Sequence, residues 1–278
     1  MKMTSKPKSK PQSQPKLSLA IATYNEEKNI SRCLKSVHAW VDEIILVDGQ
    51  SADKTVNLAQ KFSKVKIIST TNKPIFHLNK QIAIDACTKD WILQLDADEE
   101  IPAALQKEIL ETISSPQAAS GYWIPRRNLF LGTWLKKSGQ YPDPVIRLFK
   151  RGQGSLPCLS VHEQIDIKGD IGTLKNPMLH YSSPSFTRYL ARWNRYNTLF
   201  AKELMDQNFP LNFRGFLISV FRAKLAFFVR FIRCKGFQDG FPGFVFAFFS
   251  GLDHVTAFIK YWELNKQKRK TNLDQDWE

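Results

Sequence analysis

An apolar segment that ends in a cluster of carboxylates is the part of this chain with the clearest chemical use. Residues 91–95 are Trp-Ile-Leu-Gln-Leu, and four acids follow within five residues: Asp96, Asp98, Glu99 and Glu100. Charges this close need solvent or a cation to neutralise them, and their oxygens suit Mg²⁺ or Mn²⁺. Such an ion can bridge nucleotide phosphates and stabilise a departing diphosphate. The alternative is an acidic loop before a helix that starts near Ala103.

Other acids stand just after other apolar segments that predict strands. Residues 17–23 precede Glu26, and residues 43–47 precede Asp48. Short apolar segments bounded by polar residues are typical of buried strands. Open α/β sheets bind their ligands at the carboxyl ends of the strands. The sequence therefore predicts that four acids gather along one edge of a sheet: Glu26, Asp48, Asp96 and Asp98.

Helical patterns separate these strands, and a further strand is predicted at residues 65–68. The first predicted helix has Ile30, Leu34, Val37 and Val41 at helical spacing. The second is capped by Ser51 or Asp53 and runs to about Phe62. The third runs from Leu78 to Ala86, with Leu78 and Ile82 on one face. Strands that alternate with helices imply βαβ units and a parallel sheet.

Two common nucleotide-binding motifs are missing from the sequence. It contains no GxxxxGK[ST], which excludes a P-loop, and no GxGxxG after the first strand, which argues against a dinucleotide fold. Phosphate binding then falls to a metal, which the carboxylate cluster can hold.

The composition is strongly basic. Forty basic against 26 acidic residues give a formal net charge of +14, which favours nucleic acid, an anionic membrane surface or phosphorylated substrates as partners. The four cysteines lie too far apart for a zinc motif, and Cys33 and Cys87 fit small buried side chains. Residues 1–16 have no apolar core, so we expect a disordered basic tail rather than a secretory signal.

Three successive segments resemble the signatures of glycosyltransferase family 2. They are 22–27 (Ala-Thr-Tyr-Asn-Glu-Glu), 47–55 (Val-Asp-Gly-Gln-Ser-Ala-Asp-Lys-Thr) and 96–99 (Asp-Ala-Asp-Glu), and the resemblance covers residues 17–102. More narrowly, the chain is similar to the lipopolysaccharide-core β-1,4-glucosyltransferases as far as about Ala201. The segments that carry this similarity are Lys80, 90–93, 141–143, 147–149, 161–163 and 180–181.

The resemblance implies a GT-A fold, in which helices flank a Rossmann-like mixed sheet. It implies an inverting transfer from a nucleotide-diphosphate sugar, UDP-glucose, to a lipid-linked saccharide such as a lipopolysaccharide core, with Mg²⁺ or Mn²⁺ as cofactor. By the same resemblance, Asp48 binds the uracil, Asp96 faces the ribose or the metal, and Asp98 binds the metal on the diphosphate. The remaining residues implied at the nucleotide are Thr23, Tyr24, Asn25, Glu26 and Lys80.

Two carboxylates beyond these segments are candidates for the general base that takes the proton of the acceptor hydroxyl. Glu163 has His162 beside it, and Asp143 lies between two prolines. We favour Glu163 as the base. The alternative for Glu163 is a solvated carboxylate, and the alternative for Asp143 is a turn residue. Arg126, Arg127 and Arg147 either neutralise phosphates or form ion pairs.

The last third of the chain has a distinct composition. Fourteen of the twenty phenylalanines lie between Phe209 and Phe258, interleaved with arginine and lysine. No stretch there approaches the ~20 apolar residues that a membrane span needs. A basic, aromatic helical segment of this kind predicts an appendage that lies in the lipid headgroup layer. The alternative is an appendage that packs on the catalytic domain or on a partner subunit.

We therefore expect a disordered tail at residues 1–16, a GT-A catalytic domain at 17–208 and a helical membrane-interfacial appendage at 209–278. The enzyme would be cytoplasmic and peripheral on the inner membrane. Two other functions would use the same features. A nucleic-acid-binding protein would use the basic charge and the aromatic rings, and a nucleotidyltransferase would use the aspartates and a metal. No nucleic-acid motif is present, so no nucleic-acid partner is expected.

Overall fold

The computed structural model describes residues 14–73, 76–158 and 163–267. Most of the expected basic tail lies outside this range, as do Val161 and His162. The chain forms two compact units. The first comprises Met1–Ile124 and Val145–Asn176, and the second comprises Pro125–Pro144 and Pro177–Glu278. The expected domain boundaries at residues 17 and 208 stay a prediction.

Strands and helices alternate through the first part of the chain and give way to long helices at the end. The first unit contains β1 (Leu17–Thr23), α1 (Ile30–Val37), β2 (Glu43–Asp48), α2 (Thr55–Ala59), β3 (Val65–Ser69), α3 (His77–Asp85), β4 (Trp91–Asp96), β5 (Glu99–Glu100), α4 (Ala103–Ile113) and β6 (Gly121–Ile124). After β7 (Arg126–Phe130) and β8 (Thr133–Trp134) of the second unit, the first unit continues with β9 (Val145–Lys150), β10 (Gly154–Ser155), β11 (Asp166–Ile167) and β12 (Ile171–Thr173). The second unit then adds β13 (Met178–Ser183), α5 (Phe186–Asp206), α6 (Phe213–Phe228) and α7 (Gly240–Gln267).

A mixed sheet forms the centre of the first unit. Its strand order is β12-β6-β9-β4-β1-β2-β3. The four strands predicted from the sequence are parallel, with β4 and β2 on either side of β1 and β3 beyond β2. Strand β9 is antiparallel to both β4 and β6. The expected α/β class, a GT-A type mixed sheet with a helical C-terminal segment, is confirmed.

Burial on both faces explains why the central strands are almost continuously apolar. Every residue of β2 is buried, and Leu19, Leu46 and Leu93 from three adjacent strands are fully buried. Cys33 and Cys87 are buried as expected.

Three helices of the first unit differ in detail from the sequence prediction. Helix α1 ends at Val37, although Val41 is still buried beyond its end. Helix α2 runs only from Thr55 to Ala59, shorter than predicted, and Asp53 accepts hydrogen bonds from the Thr55 amide and hydroxyl just before its start. In α3, Leu78 and Ile82 lie on the exposed face, and the buried residues are polar in the first half of the helix and apolar (Ala83 and Ile84) in the second.

The second unit combines a small strand group with a helical bundle. Strand β7 pairs in parallel with β13 and antiparallel with β8. Helix α7 packs against both α5 and α6, and Gly251 lets α7 approach closely, since a Cβ there would lie 2.8 Å from the Ala223 carbonyl oxygen of α6. Aromatic side chains fill the interior: Phe130, Tyr189, Trp193, Phe246 and Phe249.

Helix α7 is longer and more apolar than the sequence analysis allowed. Residues Gly236–Lys266 are, by length and composition, the one helix among the described residues that is able to cross a membrane, and 28% of its apolar window is buried. The expectation that no segment approaches this length was wrong. Pro242 stands in the first turn of α7, where a missing N–H breaks no intrahelical bond, so it does not interrupt the helix.

Ten large apolar side chains on α6 and α7 are exposed. We call this set the apolar face; it comprises Phe213, Leu217, Phe221, Leu225 and Phe228 on α6, with Phe241, Phe244, Phe248, Ile259 and Trp262 on α7. The first four recur at every fourth residue and so form one stripe along α6. Soluble helices normally place polar residues on the exposed side.

Candidate active site

The register of the central strands brings the predicted acids together. Thr23 of β1 is paired with Asp48 of β2, and Ala22 is paired with Asp96 of β4. Strands β2, β1 and β4 therefore end side by side, and their carboxylates lie along one edge of the sheet, as the sequence predicted for Asp48 and Asp96.

Asp48 is buried and held by three hydrogen bonds. Its Oδ2 accepts from the Ser51 amide at 3.0 Å, and its Oδ1 accepts from the Ser51 hydroxyl at 2.6 Å and the Thr23 hydroxyl at 3.3 Å. The next residue, Gly49, donates its amide to the Thr23 carbonyl at 2.9 Å. The carboxylate thus has a fixed orientation at the end of β2.

The loops after β1 and β2 are joined by reciprocal hydrogen bonds. The Asn25 amide donates to the Ser51 hydroxyl at 2.9 Å, and the Asn25 side-chain oxygen accepts from the Ala52 amide at 2.8 Å. Asn25 has a φ of 53°, a left-handed conformation that asparagine tolerates better than most residues. These bonds give Asn25 a structural role, and Tyr24 beside it is exposed.

Glu26 lies in the same loop, and its bonds stabilise the local fold. Its Oε2 accepts from the Asn29 side chain at 2.6 Å, and its amide donates to the Thr55 hydroxyl at 2.7 Å. Its carboxylate thereby stabilises the start of α1. The nucleotide contact that the resemblance implies for Glu26 stays a prediction.

Asp96 is fixed between two buried cations. Lys80 Nζ lies 2.5 Å from its Oδ1, and an Arg147 nitrogen lies 2.7 Å from its Oδ2. The same guanidinium contacts Glu99 Oε1 at 2.8 Å and also bonds to Gln94. The Arg147 and Glu99 side chains are only 8% and 0% exposed. We call Lys80, Asp96, Glu99 and Arg147 the buried charge quartet; its two positive and two negative charges balance.

The pKa directions follow from this arrangement. Burial lowers the pKa of Lys80, although Asp96 opposes the change. Burial also acts to lower the pKa of Arg147, but Asp96 and Glu99 outweigh it, and the net shift is upward. Arg147 is therefore the permanent cation of the quartet.

Asp98 is partly exposed, as are Asp96 and Glu100 of the same cluster. It follows β4 in a turn, beyond the buried Ala97. Within the described part of the chain, no group of three or more His, Cys, Asp or Glu side chains is arranged to hold a metal. Mg²⁺ is commonly held by one or two carboxylates together with substrate phosphates, and this donor set fits that pattern. Asp98 and Asp96 are the acids that could hold a metal here, and both oxygens of Asp96 already contact Lys80 or Arg147.

Glu163 lies in the first unit beside α3. Its Oε2 is 3.8 Å from His77 Nδ1, and both side chains are largely buried. His77 and Lys80 are three residues apart and share one face of α3, so this helix carries both the contact to Glu163 and the contact to Asp96. Burial raises the pKa of the nearby Cys158 thiol, and the charge of Glu163 adds to the effect.

Asp143, the other candidate base, lies in the second unit. Its Oδ2 accepts from Arg126 at 2.7 Å and from the Asn128 side chain at 2.8 Å. The Asn128 side-chain oxygen lies 2.6 Å from His180 Nδ1. Because an amide oxygen only accepts, His180 carries its proton on Nδ1. Arg126 and Arg147 are thus ion-paired, the plainer of the two interpretations given for them.

Two residues of this site, His77 and Gln94, were missed in the sequence, and Glu99 was named only as one of the clustered acids. A signal for each was present. Gln94 is the polar residue inside an apolar strand, and Glu99 belongs to the acidic cluster. The side of α3 opposite Leu78 and Ile82 carries His, Asn and Lys, and a polar helix face is buried where it lines a site.

Comparisons with known proteins identify the family of this chain. The family model described as "Glycosyl transferase family 2" matches residues 18–165. The chain belongs to glycosyltransferase family 2. An uncharacterized glycosyltransferase of Rickettsia felis is 30% identical over 269 residues, 90% of this chain and 89% of the relative. The lipopolysaccharide core biosynthesis glycosyltransferase LpsC of Rhizobium meliloti is 27% identical over 94% of this chain and 97% of its own length.

Among solved structures, the chain is similar to residues 1–349 of S. aureus TarS, crystallised with UDP-GlcNAc. The TM-score is 0.48 at 15% identity, over 91% of this chain and 92% of that one. The family model confirms the family resemblance stated from the sequence. One relative, LpsC, is named for lipopolysaccharide core biosynthesis.

Proposed function

We propose that this glycosyltransferase transfers glucose from UDP-glucose, with inversion, to a lipid-linked saccharide such as a lipopolysaccharide core. The observation that carries the proposal is the edge formed by Asp48, Asp96 and Asp98 at the ends of adjacent parallel strands, with Asp96 fixed by Lys80 and Arg147. The similarity to LpsC supports the choice of acceptor.

In this proposal the first unit binds the donor. Asp48, already oriented by Ser51 and Thr23, accepts a hydrogen bond from the uracil, and Asp96 faces the ribose hydroxyls. Thr23, Tyr24 and the adjoining loop line the nucleotide. The quartet keeps Asp96 in one orientation before the donor arrives, so no binding energy is spent on ordering it.

A divalent metal would be held by Asp98, with Asp96 behind it. When bound, it would neutralise the diphosphate and stabilise its departure. Lys80 adds a positive charge at the same edge, and its buried ammonium is more effective there than in water.

Glu163 is the proposed base. The acceptor hydroxyl attacks the anomeric carbon opposite the diphosphate, a new C–O bond forms as the bond to the diphosphate breaks, and Glu163 takes the proton. One such displacement inverts the anomeric configuration. His77 fixes the position of Glu163 from α3. Asp143 is less suited, because its Oδ2 already accepts two hydrogen bonds.

A donor screen tests this function. Nucleotide sugars are incubated with the full chain and Mn²⁺, and thermal stabilisation and slow hydrolysis are recorded. We expect the largest effect with UDP-glucose. Stabilisation by a GDP- or CMP-sugar alone would overturn the donor assignment, and diphosphate release from a nucleoside triphosphate would indicate a nucleotidyltransferase instead.

We further propose that the apolar face holds the enzyme on the cytoplasmic surface of the inner membrane. Exposed cations lie on the same helices and their connection: Arg214, Arg222, Lys224, Arg233 and Lys235. Apolar insertion and attraction to anionic lipids together give reversible binding. Val245, Phe246 and Phe249 belong to the core of the second unit, so surface substitutions test the idea better than truncation at residue 208.

Phe213 and Phe221 are 74% and 67% exposed on α6. Replacing both with serine should weaken cosedimentation with anionic vesicles, and high salt should weaken it further. Ile171→Ser, at an exposed apolar position of the first unit, is the matched control. Unchanged sedimentation of the double variant would disprove the role of the α6 stripe. Resistance of the wild-type protein to extraction by high salt and carbonate would indicate instead that α7 crosses the bilayer.

A further inference from the structure

A second cluster of aromatic and basic side chains lies in the second unit, outside the donor-binding edge. We call it the Trp134 patch; it comprises Arg127, Trp134, Lys136 and Tyr141. The Arg127 guanidinium lies 4.4 Å and Lys136 Nζ 5.2 Å from the Trp134 ring centroid. The Tyr141 ring meets the same indole edge-on, with centroids 5.3 Å apart. Lys136 and Tyr141 are exposed, so a ligand can reach the patch.

The polar groups of the Trp134 patch are not satisfied by the protein. Among the residues that the structure describes, the Trp134 Nε1 and the Arg127 Nε find no acceptor. Neither Arg127 nor Lys136 forms an ion pair with a described residue. Arg126 is different, because it is paired with Asp143. Two cations that have no carboxylate partner among the described residues make the patch suited to an anionic group.

The loop that carries the Trp134 patch is held in place by the connection between α6 and α7. Asp239 accepts from the amides of Lys136 at 3.0 Å and Lys137 at 2.9 Å, and from the Ser138 hydroxyl at 3.1 Å. Arg230 donates to the Ser138 carbonyl at 3.3 Å.

Two glycines allow this close contact. A Cβ at Gly139 would lie 2.5 Å from the Arg230 guanidinium, and one at Gly236 would lie 2.7 Å from the Ser138 hydroxyl. The loop that carries the patch is therefore fixed to the connection between the two helices that bear the apolar face.

We propose that the Trp134 patch is the subsite for an anionic sugar residue of the acceptor, one that bears a carboxylate or a phosphate. This inference rests on the proposed function. The aromatic rings offer a surface for the C–H faces of a sugar, and Arg127 and Lys136 bind its charged group. The patch shares its unit with the apolar face proposed for the membrane, and the acids proposed for the donor belong to the other unit. We accordingly assign its occupant to the lipid-linked acceptor.

Binding measurements on an Arg127→Gln/Lys136→Gln double variant test the subsite. The probe is a deacylated lipopolysaccharide core oligosaccharide with its phosphates and carboxylates intact, titrated by calorimetry. Losing charge-assisted hydrogen bonds should weaken its binding at least about tenfold. The affinity for UDP should not change. The control is Lys61→Gln/Lys107→Gln, which removes the same charge from exposed positions of the first unit and should leave both affinities unchanged.

Three results would overturn the inference. The first is equal oligosaccharide affinity of the double variant and the wild type, and the second is equal affinity for inorganic phosphate and for the oligosaccharide. The third is that the double variant loses binding to anionic vesicles rather than to the oligosaccharide. The last would assign the two cations to lipid headgroups. Failure of the proposed function can be told apart from failure of the subsite. If the protein binds the oligosaccharide through the patch but binds no nucleotide sugar, the subsite stands and the transferase assignment is wrong.

Discussion

Replacing Arg147 should unfold the first unit far more easily than replacing Arg126. In Arg147→Met the side-chain volume is kept, but Glu99 loses its cationic partner while it remains completely buried. Removing one partner of a buried ion pair typically costs about 3–5 kcal/mol. Arg126 and Asp143 are 19% and 37% exposed, and pairs near the surface contribute roughly 0–1 kcal/mol. The two methionine variants are matched in chemistry and differ in burial.

Urea denaturation followed by circular dichroism measures both variants. A loss of about 3–5 kcal/mol corresponds to a melting temperature lower by roughly 6–20 °C for a domain of this size. A second substitution separates charge from packing. In Arg147→Met/Glu99→Gln the buried charge of Glu99 is removed, and the remaining pair of Lys80 with Asp96 is intact.

We therefore expect the double variant to be more stable than Arg147→Met alone. Equal stability of Arg147→Met and wild type would refute the buried charge quartet. A double variant that is less stable than either single variant would show that Arg147 acts through packing rather than charge.

Three further predictions concern catalysis and pH. Asp98→Asn should abolish transfer while the melting temperature is kept, and EDTA should do the same; activity that survives both would exclude a metal. Glu163→Gln should lower turnover by about 10²–10⁴-fold, as for loss of a general base, and should leave the UDP affinity unchanged. Asp143→Asn should have a smaller effect on turnover. The reverse ranking would make Asp143 the base. Burial raises the pKa of Asp253 to about 6, so the folded state holds this proton more tightly than the unfolded state and loses stability as pH rises from about 4 to 6. Asp253→Asn should therefore stabilise the protein at pH 7 but not at pH 4, as urea titrations at both values would show.

The strand framework was predictable because each central strand is short, apolar and followed by polar residues. Strands β1 to β4 lie where the pattern put them, and their parallel pairing follows from the helices between them. The same logic placed Asp48 and Asp96 at one edge of the sheet. These features depend on local sequence and on general rules of α/β topology.

The pairing of charges was not predictable, because it depends on a distant strand. Arg147 reaches Asp96 and Glu99 only because β9 returns antiparallel beside β4, and nothing in the local sequence around Arg147 indicates that register. The buried polar face of α3 was missed for a related reason. Leu78 and Ile82 suggested an inward apolar face, whereas the salt bridge of Lys80 turns the polar side toward the sheet.

The division of the second unit into two separate stretches of chain affects how the protein is made. Residues 125–144 leave the ribosome early, yet Phe130 packs with Val245, which is synthesised 115 residues later (245 − 130). At about 5–20 residues per second this interval lasts roughly 6–23 s. The sequence of the first unit is complete at Asn176, so its sheet can close during translation. Until the helices are synthesised, Phe130 and Leu135 lack their packing partners. Exposed apolar side chains of this kind are what chaperones bind.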